Sequence, residues 1–539
     1  MAKFLPKIID RIENSPVTFW FWLASFSAII IIRILIENWL EGFRSRSGLF
    51  IFYEFTHTFL FFLIAYLLFL WILKRILSAD FRKISNVLLW GYLIILTPPI
   101  ADYIISHGKG FWSFYEFDGL KGLITRFFTF FGSTPEIGVT YGVRIEVAIA
   151  ILFIGLYSFL KSKNILKSLF LFLLSYLVFF VLGTFPSWIT IAVKGFSKGF
   201  LAVTDVDVAQ MFLTPARIFS REIPDIVSTL NIKMSLVYSL VLIGIVLLGV
   251  FFDWKNRFLA FLKNARFPQL IYHGGLLMVG MGLAVIFTDS WITFNFFNVS
   301  SFLVLLSSIF CAWLASVVIN DIQDKDIDKI TNQTRPLATG TFTLEEYKTI
   351  GWILFLVSIL FSAIVNFKIA LLLLVYQAIA WLYSCWPLRL KRFAFVSTFV
   401  SAIASLLILF SGFILVSPEQ NIKGLPFSIV ALLVIGYTLA LPIKDFKDVE
   451  GDKKNGVYTV PVLFGEQWGK IIVGAGIFLS FVLSVILFNE PRLFWWALFF
   501  GGLAFWIIIN KSINPRRLPW WILGVVVLYG MIMMKVVFL

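Results

Sequence analysis

Residues 317–340 read VVINDIQDKDIDKITNQTRPLATG, and residues 441–465 read LPIKDFKDVEGDKKNGVYTVPVLFG. Each stretch begins in an apolar segment, ends in polar sequence and contains three aspartates at the same spacing. The aspartates are Asp321, Asp324 and Asp328 in the first stretch, and Asp445, Asp448 and Asp452 in the second. Two apolar segments that end in the same acidic pattern indicate a membrane protein with a paired cation-binding motif.

The spacing places each aspartate triplet on one side of a helix, if the segment is helical. A helix turns about 100° per residue, so offsets of three and seven residues fall within about 60° of arc. Asp326 and Glu450 then point about 140° away, and we expect them to be solvated. Asn320 and Lys444 come one residue before each first aspartate, at the edge of the carboxylate face.

The rest of the chain is strongly apolar. Of its 539 residues, 60% are hydrophobic and only 14% are charged, and the mean hydropathy is +0.93. Apolar stretches of about 20 residues, the length that a helix needs to cross a bilayer, recur from end to end. The sequence therefore predicts an all-α integral membrane protein rather than a β-barrel.

The apolar stretches divide the chain into three parts. About six predicted spans lie in 1–253, namely 17–38, 51–74, 84–106, 143–160, 166–193 and 234–253. Nine more follow, at 270–290, 297–319, 349–366, 369–386, 393–416, 425–442, 470–488, 492–510 and 519–538. We therefore expect an N-terminal polytopic domain of unassigned role over 1–253, a basic cytosolic linker over 254–269 and a nine-helix domain over 270–539.

Basic residues give the orientation of the nine-helix domain. If every span crosses, one set of loops carries 19 Lys and Arg residues from Lys255 to Arg517, and the other set carries only Lys368, Lys423 and Arg492. This asymmetry predicts that the aspartate loops are cytoplasmic. It also explains the excess of 45 Lys and Arg over 30 Asp and Glu without a nucleic-acid partner.

The chemistry of the triplets favours a metal-bound phosphate ligand. Six neighbouring carboxylates repel one another unless cations lie among them. Oxygen ligands without His or Cys suit a hard cation, and Mg²⁺ typically binds through one or two carboxylates together with substrate phosphates. The residues thus predict a diphosphate held by Mg²⁺ at the membrane surface.

Four segments resemble one known family. NDIQDKDID (320–328) is similar to the first motif of the UbiA superfamily of intramembrane prenyltransferases, and DFKDVEGD (445–452) is similar to its second. NQTRPLATG (332–340) and YSCWPLRLKR (383–392) resemble two accessory segments of that family. The resemblance covers about 266–539, and none is found in the N-terminal part.

This resemblance implies a nine-helix UbiA-like bundle, in which the two motifs face each other and hold Mg²⁺ and a prenyl diphosphate. The activity implied is prenyl transfer to a hydrophobic acceptor in the lipid bilayer: an aromatic quinone precursor, a tetrapyrrole or a glycerol phosphate lipid. The metal ligands implied are Asn320, Asp321, Asp324, Asp328, Asp445, Asp448 and Asp452. The substrate-binding candidates are Asn320, Arg335, Tyr383, Lys391 and Lys444.

Two other functions remain open from the sequence. One is phosphoribosyl transfer to a polyprenyl phosphate, which a branch of the same superfamily performs. The other is a cation-coupled transporter, since carboxylates in membrane segments also mark ion paths. In the N-terminal domain, Asp102, Arg144 and Glu146 lie at or near apolar spans, and we expect them to mark a cavity or a surface for a protein partner.

Overall fold

The computed structural model describes residues 4–40, 42, 47–215, 217–223, 225–447, 449–454, 456–515 and 517–537. Almost all of the secondary structure in these ranges is helical. The helices before residue 264 are α1 Phe4–Glu13, α2 Phe19–Leu40, α3 Gly48–Leu77, α4 Phe81–Gly91, α5 Thr97–Ile105, α6 Leu120–Phe128, α7 Tyr141–Ser162, α8 Ile165–Gly183, α9 Phe185–Lys198, α10 Asp205–Leu213 and α11 Ile226–Lys263.

The later helices include those that carry the aspartate motifs. They are α12 Phe267–Phe287, α13 Phe296–Gln323, α14 Lys325–Thr331, α15 Leu344–Val365, α16 Phe367–Ser384, α17 Val396–Val416, α18 Phe427–Ala440, α19 Val449–Lys454, α20 Val460–Leu487, α21 Phe494–Ile509 and α22 Leu518–Val537. Short 3₁₀ helices cover Tyr92–Leu96, Leu390–Arg392, Leu441–Lys447 and Pro491–Leu493. The strands are two-residue pieces, β1 Trp112–Ser113 with β2 Ile137–Gly138, and β3 Arg217–Ile218 with β4 Arg221–Glu222.

Fifteen helical segments in the described ranges are long and apolar enough to cross a membrane. Six of them begin before residue 264 and nine after it. The predicted class, an all-α integral membrane protein, is confirmed. The number of segments that cross, and the side on which each loop lies, stay predictions.

The chain forms two compact units, one over 1–217 and 222–252 and the other over 218–221 and 253–539. In the first unit, Glu13 of α1 is fully buried and accepts hydrogen bonds from Tyr157 and Lys161 of α7. Asp102 accepts hydrogen bonds from the Thr140 hydroxyl and the Gly142 amide. These buried carboxylates therefore join helix ends within the unit.

Arg144 also has partners inside the first unit. Its guanidinium donates to the main-chain carbonyls of Phe131, Gly132 and Val139. Because these three carbonyls lie in the segment between α6 and α7, Arg144 fixes that segment to the start of α7. The cavity or partner surface predicted around Arg144 stays a prediction, and the guanidinium group of Arg144 already has a structural role.

Predicted and observed boundaries differ at several places, including the following three. The span predicted at 166–193 divides into α8 and α9 at Thr184, because Pro186 cannot donate the backbone hydrogen bond that a continuous helix needs. The linker predicted at 254–269 is helical as far as Lys263, with an interruption at Trp254. The span predicted to begin at 470 starts at Val460 and bends at Gly465, whose φ is 77°.

In the second unit, α12 and α17 cross at very short range. A Cβ atom on Gly280 would lie 2.0 Å from the Leu409 carbonyl oxygen, and a Cβ atom on Gly412 would lie 2.1 Å from the Leu277 carbonyl oxygen. Each helix thus needs a glycine where it meets the backbone of the other. Small residues at such crossings allow membrane helices to gain close packing.

Residues 218–221 belong to the second unit although they precede it in sequence. The Phe219 amide donates to Asn298 of α13, and the Ser220 hydroxyl donates to the Leu415 carbonyl of α17. Arg221 donates to the carbonyls of Ile364 and Val365, which end α15 and have no partner within the helix. The nine-helix domain therefore uses a segment that lies outside 254–539.

Gly280→Ala should destabilise the second unit. The added methyl group would meet the backbone of α17, and overpacking of this kind costs about 1–3 kcal/mol. Gly282→Ala is the matched control, because a Cβ atom there meets nothing within 4 Å. Thermal unfolding of the two variants in detergent should separate them, and equal midpoints would show that the crossing is looser than described.

Arg221→Ala should loosen the end of α15. It removes two donors from the terminal carbonyls of the helix, and hydrogen bonds that involve a charged group contribute about 1.5–3 kcal/mol. Arg217→Ala removes an exposed arginine from the same hairpin and is the control. Hydrogen exchange over 358–368, followed by mass spectrometry, should accelerate in the Arg221 variant alone.

Candidate active site

The first aspartate motif lies at the end of the apolar helix α13. Asp321 is in its last turn, Asp324 lies between α13 and α14, and Asp328 is in α14. The motif is not one continuous helix, because Asp324 interrupts it with φ −98° and ψ 10°. Its side chain is held by cations from another loop, which fixes Asp324 at the turn.

Asp321 is buried and accepts from four side chains. Its Oδ1 atom lies 2.5 Å from Arg335 Nη1 and 3.4 Å from Arg266 Nη2. Its Oδ2 atom accepts from Asn264 at 2.5 Å and from the Tyr347 hydroxyl at 3.0 Å. Only 1% of this side chain is exposed, so these donors replace the water that an ionised carboxylate requires.

Asp324 is held by a second pair of cations. Arg389 Nη2 lies 2.9 Å from its Oδ1 atom, and Lys391 Nζ lies 2.5 Å from its Oδ2 atom. Asn320 also donates to Oδ2 at 3.0 Å. Burial lowers the pKa of Lys391, while the adjacent Asp324 carboxylate opposes that change.

Asp328 shares Arg335 with Asp321. The Arg335 Nη1 atom lies 2.8 Å from Asp328 Oδ2 and 2.5 Å from Asp321 Oδ1, so one nitrogen bridges two carboxylates. Burial raises the pKa of Asp328 to about 6, although Arg335 acts in the opposite direction. Asp328 Oδ2 is sealed from solvent, and no described group donates to it with hydrogen-bond geometry.

Buried apolar side chains position Arg335. Leu337 and Phe342 follow it in the chain and pack with Val318 of α13 and Tyr347 of α15. The backbone between them turns sharply at Gly340, whose φ is 69°. The Arg-Pro-Leu segment therefore brings a cation to the carboxylates by burying the leucine that follows.

A backbone bridge positions the second pair of cations. Arg389 lies at a positive φ of 39°, and Arg392 stacks over Trp386 with its Cζ atom 4.9 Å from the ring centre. The Arg392 carbonyl accepts from the amide of Tyr458, which lies just after the second motif. The loop that carries Arg389 and Lys391 is thereby joined to the second motif.

The second motif begins in the 3₁₀ helix Leu441–Lys447 and continues in α19. Lys444 Nζ donates to the Tyr383 hydroxyl at 3.2 Å and lies 5.4 Å from the ring centre. Asp445 and Asp452 are half-buried and have interaction partners, whereas Asp448 lies outside the described residues. Because α19 packs against α14, the structure brings the two motifs side by side.

The two carboxylates expected to be solvated are exposed. The Asp326 side chain is 89% exposed and pairs with Lys329 at 2.9 Å, and this contact lowers its pKa. Glu450 is also exposed. In the first motif the exposure of Asp326, beside the buried Asp321 and Asp328, follows the predicted phase despite the interruption at Asp324.

Within the described ranges, no three Asp, Glu, His or Cys side chains are close enough to form a metal cluster. Arg and Lys side chains lie between the first-motif carboxylates instead. The donors that could hold a metal are still oxygen atoms alone, from Asn320 and the aspartates, and the sealed Oδ2 atom of Asp328 has an unused acceptor position. This donor set fits a hard cation such as Mg²⁺.

The site residues predicted from the sequence lack four members of this cluster, Asn264, Arg266, Tyr347 and Arg389. Asn264 and Tyr347 contact Asp321 from α11–α12 and α15, and no motif spacing identifies them. Arg389 lies two residues before the predicted Lys391, so its charge was the available signal. The Trp313 indole donates to the Ala265 carbonyl and thereby fixes the turn that carries Asn264 and Arg266.

Residues 276–523 match the UbiA prenyltransferase family, which confirms the resemblance found in the C-terminal half. A digeranylgeranylglyceryl phosphate synthase from Sulfolobus acidocaldarius is 31% identical over 32% of this chain and 59% of its own length. The chloroplastic chlorophyll synthase of Arabidopsis thaliana is 30% identical over 41% of this chain and 57% of its own length. The chain thus spans a little over half the length of these curated relatives.

Two further proteins are similar to this chain. A homogentisate phytyltransferase from Synechocystis is 27% identical over 40% of this chain and 71% of its own length. The structure of a UbiA homolog from Archaeoglobus fulgidus bound to GPP and Mg²⁺ aligns with 52% of this chain and 99% of that one, at 19% identity and a TM-score of 0.40.

Tyr347→Phe should destabilise the chain without removing any motif residue. It deletes one of the four donors to the buried Asp321 carboxylate, and a hydrogen bond to a charged group is worth about 1.5–3 kcal/mol. Tyr458→Phe, at a side chain that is 52% exposed, is the control. Thermal denaturation followed by tryptophan fluorescence measures the difference, and unchanged stability in both variants would contradict the anchoring role of Tyr347.

Proposed function

We propose that the C-terminal half, as a member of the UbiA prenyltransferase family, transfers a prenyl group from a prenyl diphosphate to a hydrophobic acceptor in the membrane. The acceptor is an aromatic quinone precursor, a tetrapyrrole or a glycerol phosphate lipid. The similar proteins named above bear names from more than one of these classes, so the proposal keeps all three.

One observation carries this proposal. Three carboxylates and four cations, Arg266, Arg335, Arg389 and Lys391, are packed together at the end of a long apolar helix. Such a cluster offers both oxygen ligands for a metal and donors for phosphate oxygens. Its position at a helix end suits a substrate whose head is charged and whose tail is apolar.

The cationic side chains would bind and hold the diphosphate. Arginine donates through a planar fork that matches phosphate oxygens, and lysine supplies a compact charge. Arg335, Arg389, Lys391 and Lys444 are our candidates, with Tyr383 orienting Lys444 through its hydroxyl and ring. Buried donors of this kind stabilise the negative charge that develops as the allylic C–O bond breaks.

The carboxylates would hold Mg²⁺. Asn320, Asp321, Asp324 and Asp328 would contribute from the first motif, and Asp445, Asp448 and Asp452 from the second. Bound Mg²⁺ supplies Lewis acidity toward the departing diphosphate. The apolar helices below the motifs would exclude water, which otherwise quenches an allylic cation before the acceptor reacts.

The arrangement of charges disfavours a cation-coupled transporter. Asp321, Asp324 and Asp328 are each paired with Arg or Lys, whereas an ion path needs carboxylates that can release and accept the transported cation. They also lie at the end of α13 rather than within it. Phosphoribosyl transfer to a polyprenyl phosphate is the remaining alternative, and substrate tests distinguish it.

Asp324→Asn should abolish most prenyl transfer, because it removes a charged ligand while preserving the size of the side chain. A loss of about 4 kcal/mol of transition-state stabilisation slows turnover roughly a thousandfold. Asp326→Asn changes the charge equally from an 89% exposed position and should be nearly silent. Transfer of a radiolabelled prenyl group to total membrane lipid, measured across a Mg²⁺ titration, compares the two.

Three results would contradict the assignment. Equal damage from both substitutions would mean that net charge, rather than geometry, matters. Full activity of Asp324→Asn would exclude it as a required ligand. Formation of a phosphoribosylated lipid from phosphoribosyl diphosphate and polyprenyl phosphate, with release of diphosphate and no reaction of prenyl diphosphates, would identify the alternative reaction.

A further inference from the structure

Every carboxylate of the first motif is already paired with a cation of the chain. Asp321, Asp324 and Asp328 contribute three negative charges, and their partners Arg266, Arg335, Arg389 and Lys391 contribute four positive charges, so these ion pairs of the first motif, counted without the second motif, are not short of positive charge. The first-motif carboxylates are therefore compensated by side chains of the protein, and a free divalent cation must compete with those side chains for the oxygen atoms. The cluster therefore favours the diphosphate over the metal as the first ligand.

The cations contact the carboxylate oxygens that would hold a metal. Arg335 joins Asp321 to Asp328 through a single nitrogen, at 2.5 Å and 2.8 Å. Arg389 and Lys391 together cover both oxygens of Asp324. A metal that binds Asp321 Oδ1 or either oxygen of Asp324 therefore competes with these side chains.

Arg389 has an N–H donor that Asp324 does not use. Its Nη2 atom binds Asp324, while its Nε atom is sealed from solvent and has no acceptor in the part of the chain that the structure describes. A guanidinium carries five N–H donors. A phosphate oxygen could satisfy Nε and Nη together, which a single contact to Asp324 does not.

We propose that Arg335, Arg389 and Lys391 are exchangeable counter-ions, which neutralise the first-motif carboxylates until a prenyl diphosphate draws them away and opens those carboxylates to a divalent cation. The inference rests on the proposed function and adds the order in which the diphosphate and the metal bind. The metal binds weakly to the free protein and tightly to its diphosphate complex. By linkage, the metal strengthens diphosphate binding by the same factor.

The physical basis is the competition for oxygen atoms. A metal alone must displace buried cations and leave them without partners, which is costly in a low-dielectric site. When the diphosphate is present, the same cations gain charge-assisted hydrogen bonds to phosphate oxygens. Each ligand thus lowers the free-energy cost of binding the other, and this gives positive coupling between the two sites.

The coupling can be measured on the full chain in phosphatidylcholine nanodiscs. Mn²⁺ serves as the metal probe, by electron paramagnetic resonance, and geranyl or geranylgeranyl S-thiolodiphosphate as an analogue that resists ionisation. We expect the analogue to tighten Mn²⁺ binding about 5- to 150-fold, the usual span for coupled sites. Equal Mn²⁺ affinity with and without bound analogue would overturn the exchange while leaving the proposed function intact.

Arg389→Gln separates exchange from a merely structural role. Removal of one counter-ion should tighten Mn²⁺ binding in the absence of the analogue, weaken the analogue and shrink the coupling factor. Arg389→Lys retains the positive charge but loses the paired Nε and Nη donors, so it should keep the weak Mn²⁺ binding of the free protein and weaken the analogue. Arg392→Gln removes the same charge three residues away, from a side chain that stacks on Trp386, and should change neither affinity.

The diagnostic result is that Arg389→Gln tightens Mn²⁺ binding but weakens binding of the analogue. If Arg389→Gln weakened Mn²⁺ and analogue alike, Arg389 would only support the fold or contact both ligands, and the exchange would be wrong. If that variant does not fold, the wild-type coupling and the Arg389→Lys variant still decide. If neither analogue binds the wild type with or without Mn²⁺, the proposed function itself fails.

Discussion

The ion pair between Asp321 and Arg335 is the contact on which the site depends. A carboxylate that is 1% exposed at the end of an apolar helix is stable only when donors replace its water. Four side chains from three other parts of the second unit provide them. The need to neutralise one buried charge thus draws the α11–α12 turn, the loop before α15 and α15 itself toward the end of α13.

Apolar packing makes this polar cluster specific. Leu337 and Phe342 are buried against Val318 and Tyr347, which fixes the loop that carries Arg335. The bridge between Arg392 and Tyr458 places the loop with Arg389 and Lys391 beside the second motif. The charged side chains are therefore held by contacts outside the site, as precise positioning of a binding site requires.

The surrounding bundle has its own constraint. Gly280 and Gly412 let α12 and α17 approach until backbone meets backbone, and α12 begins at the turn that carries Asn264 and Arg266. Residues 218–221 cap and join the opposite ends of α13, α15 and α17. The folded domain is thus larger than the segment that contains its motifs.

The sequence alone determined the membrane class, because the length and composition of an apolar stretch are local properties. They can be compared directly with the thickness of the bilayer. The sequence also identified Asn320, Asp321, Asp324, Asp328, Arg335 and Lys391, which the structure brings together, because motif spacing is local too. Helical phase separated Asp326 from its neighbours for the same reason.

Only the tertiary structure decided which charges pair. Asn264, Tyr347 and Arg389 reach the carboxylates from elements that are far apart in sequence, and no local pattern encodes such contacts. The interruption at Asp324 likewise depends on a loop more than 60 residues away in the chain. Pairing of buried charges is set by packing across the whole unit, so it is absent from any single stretch of sequence.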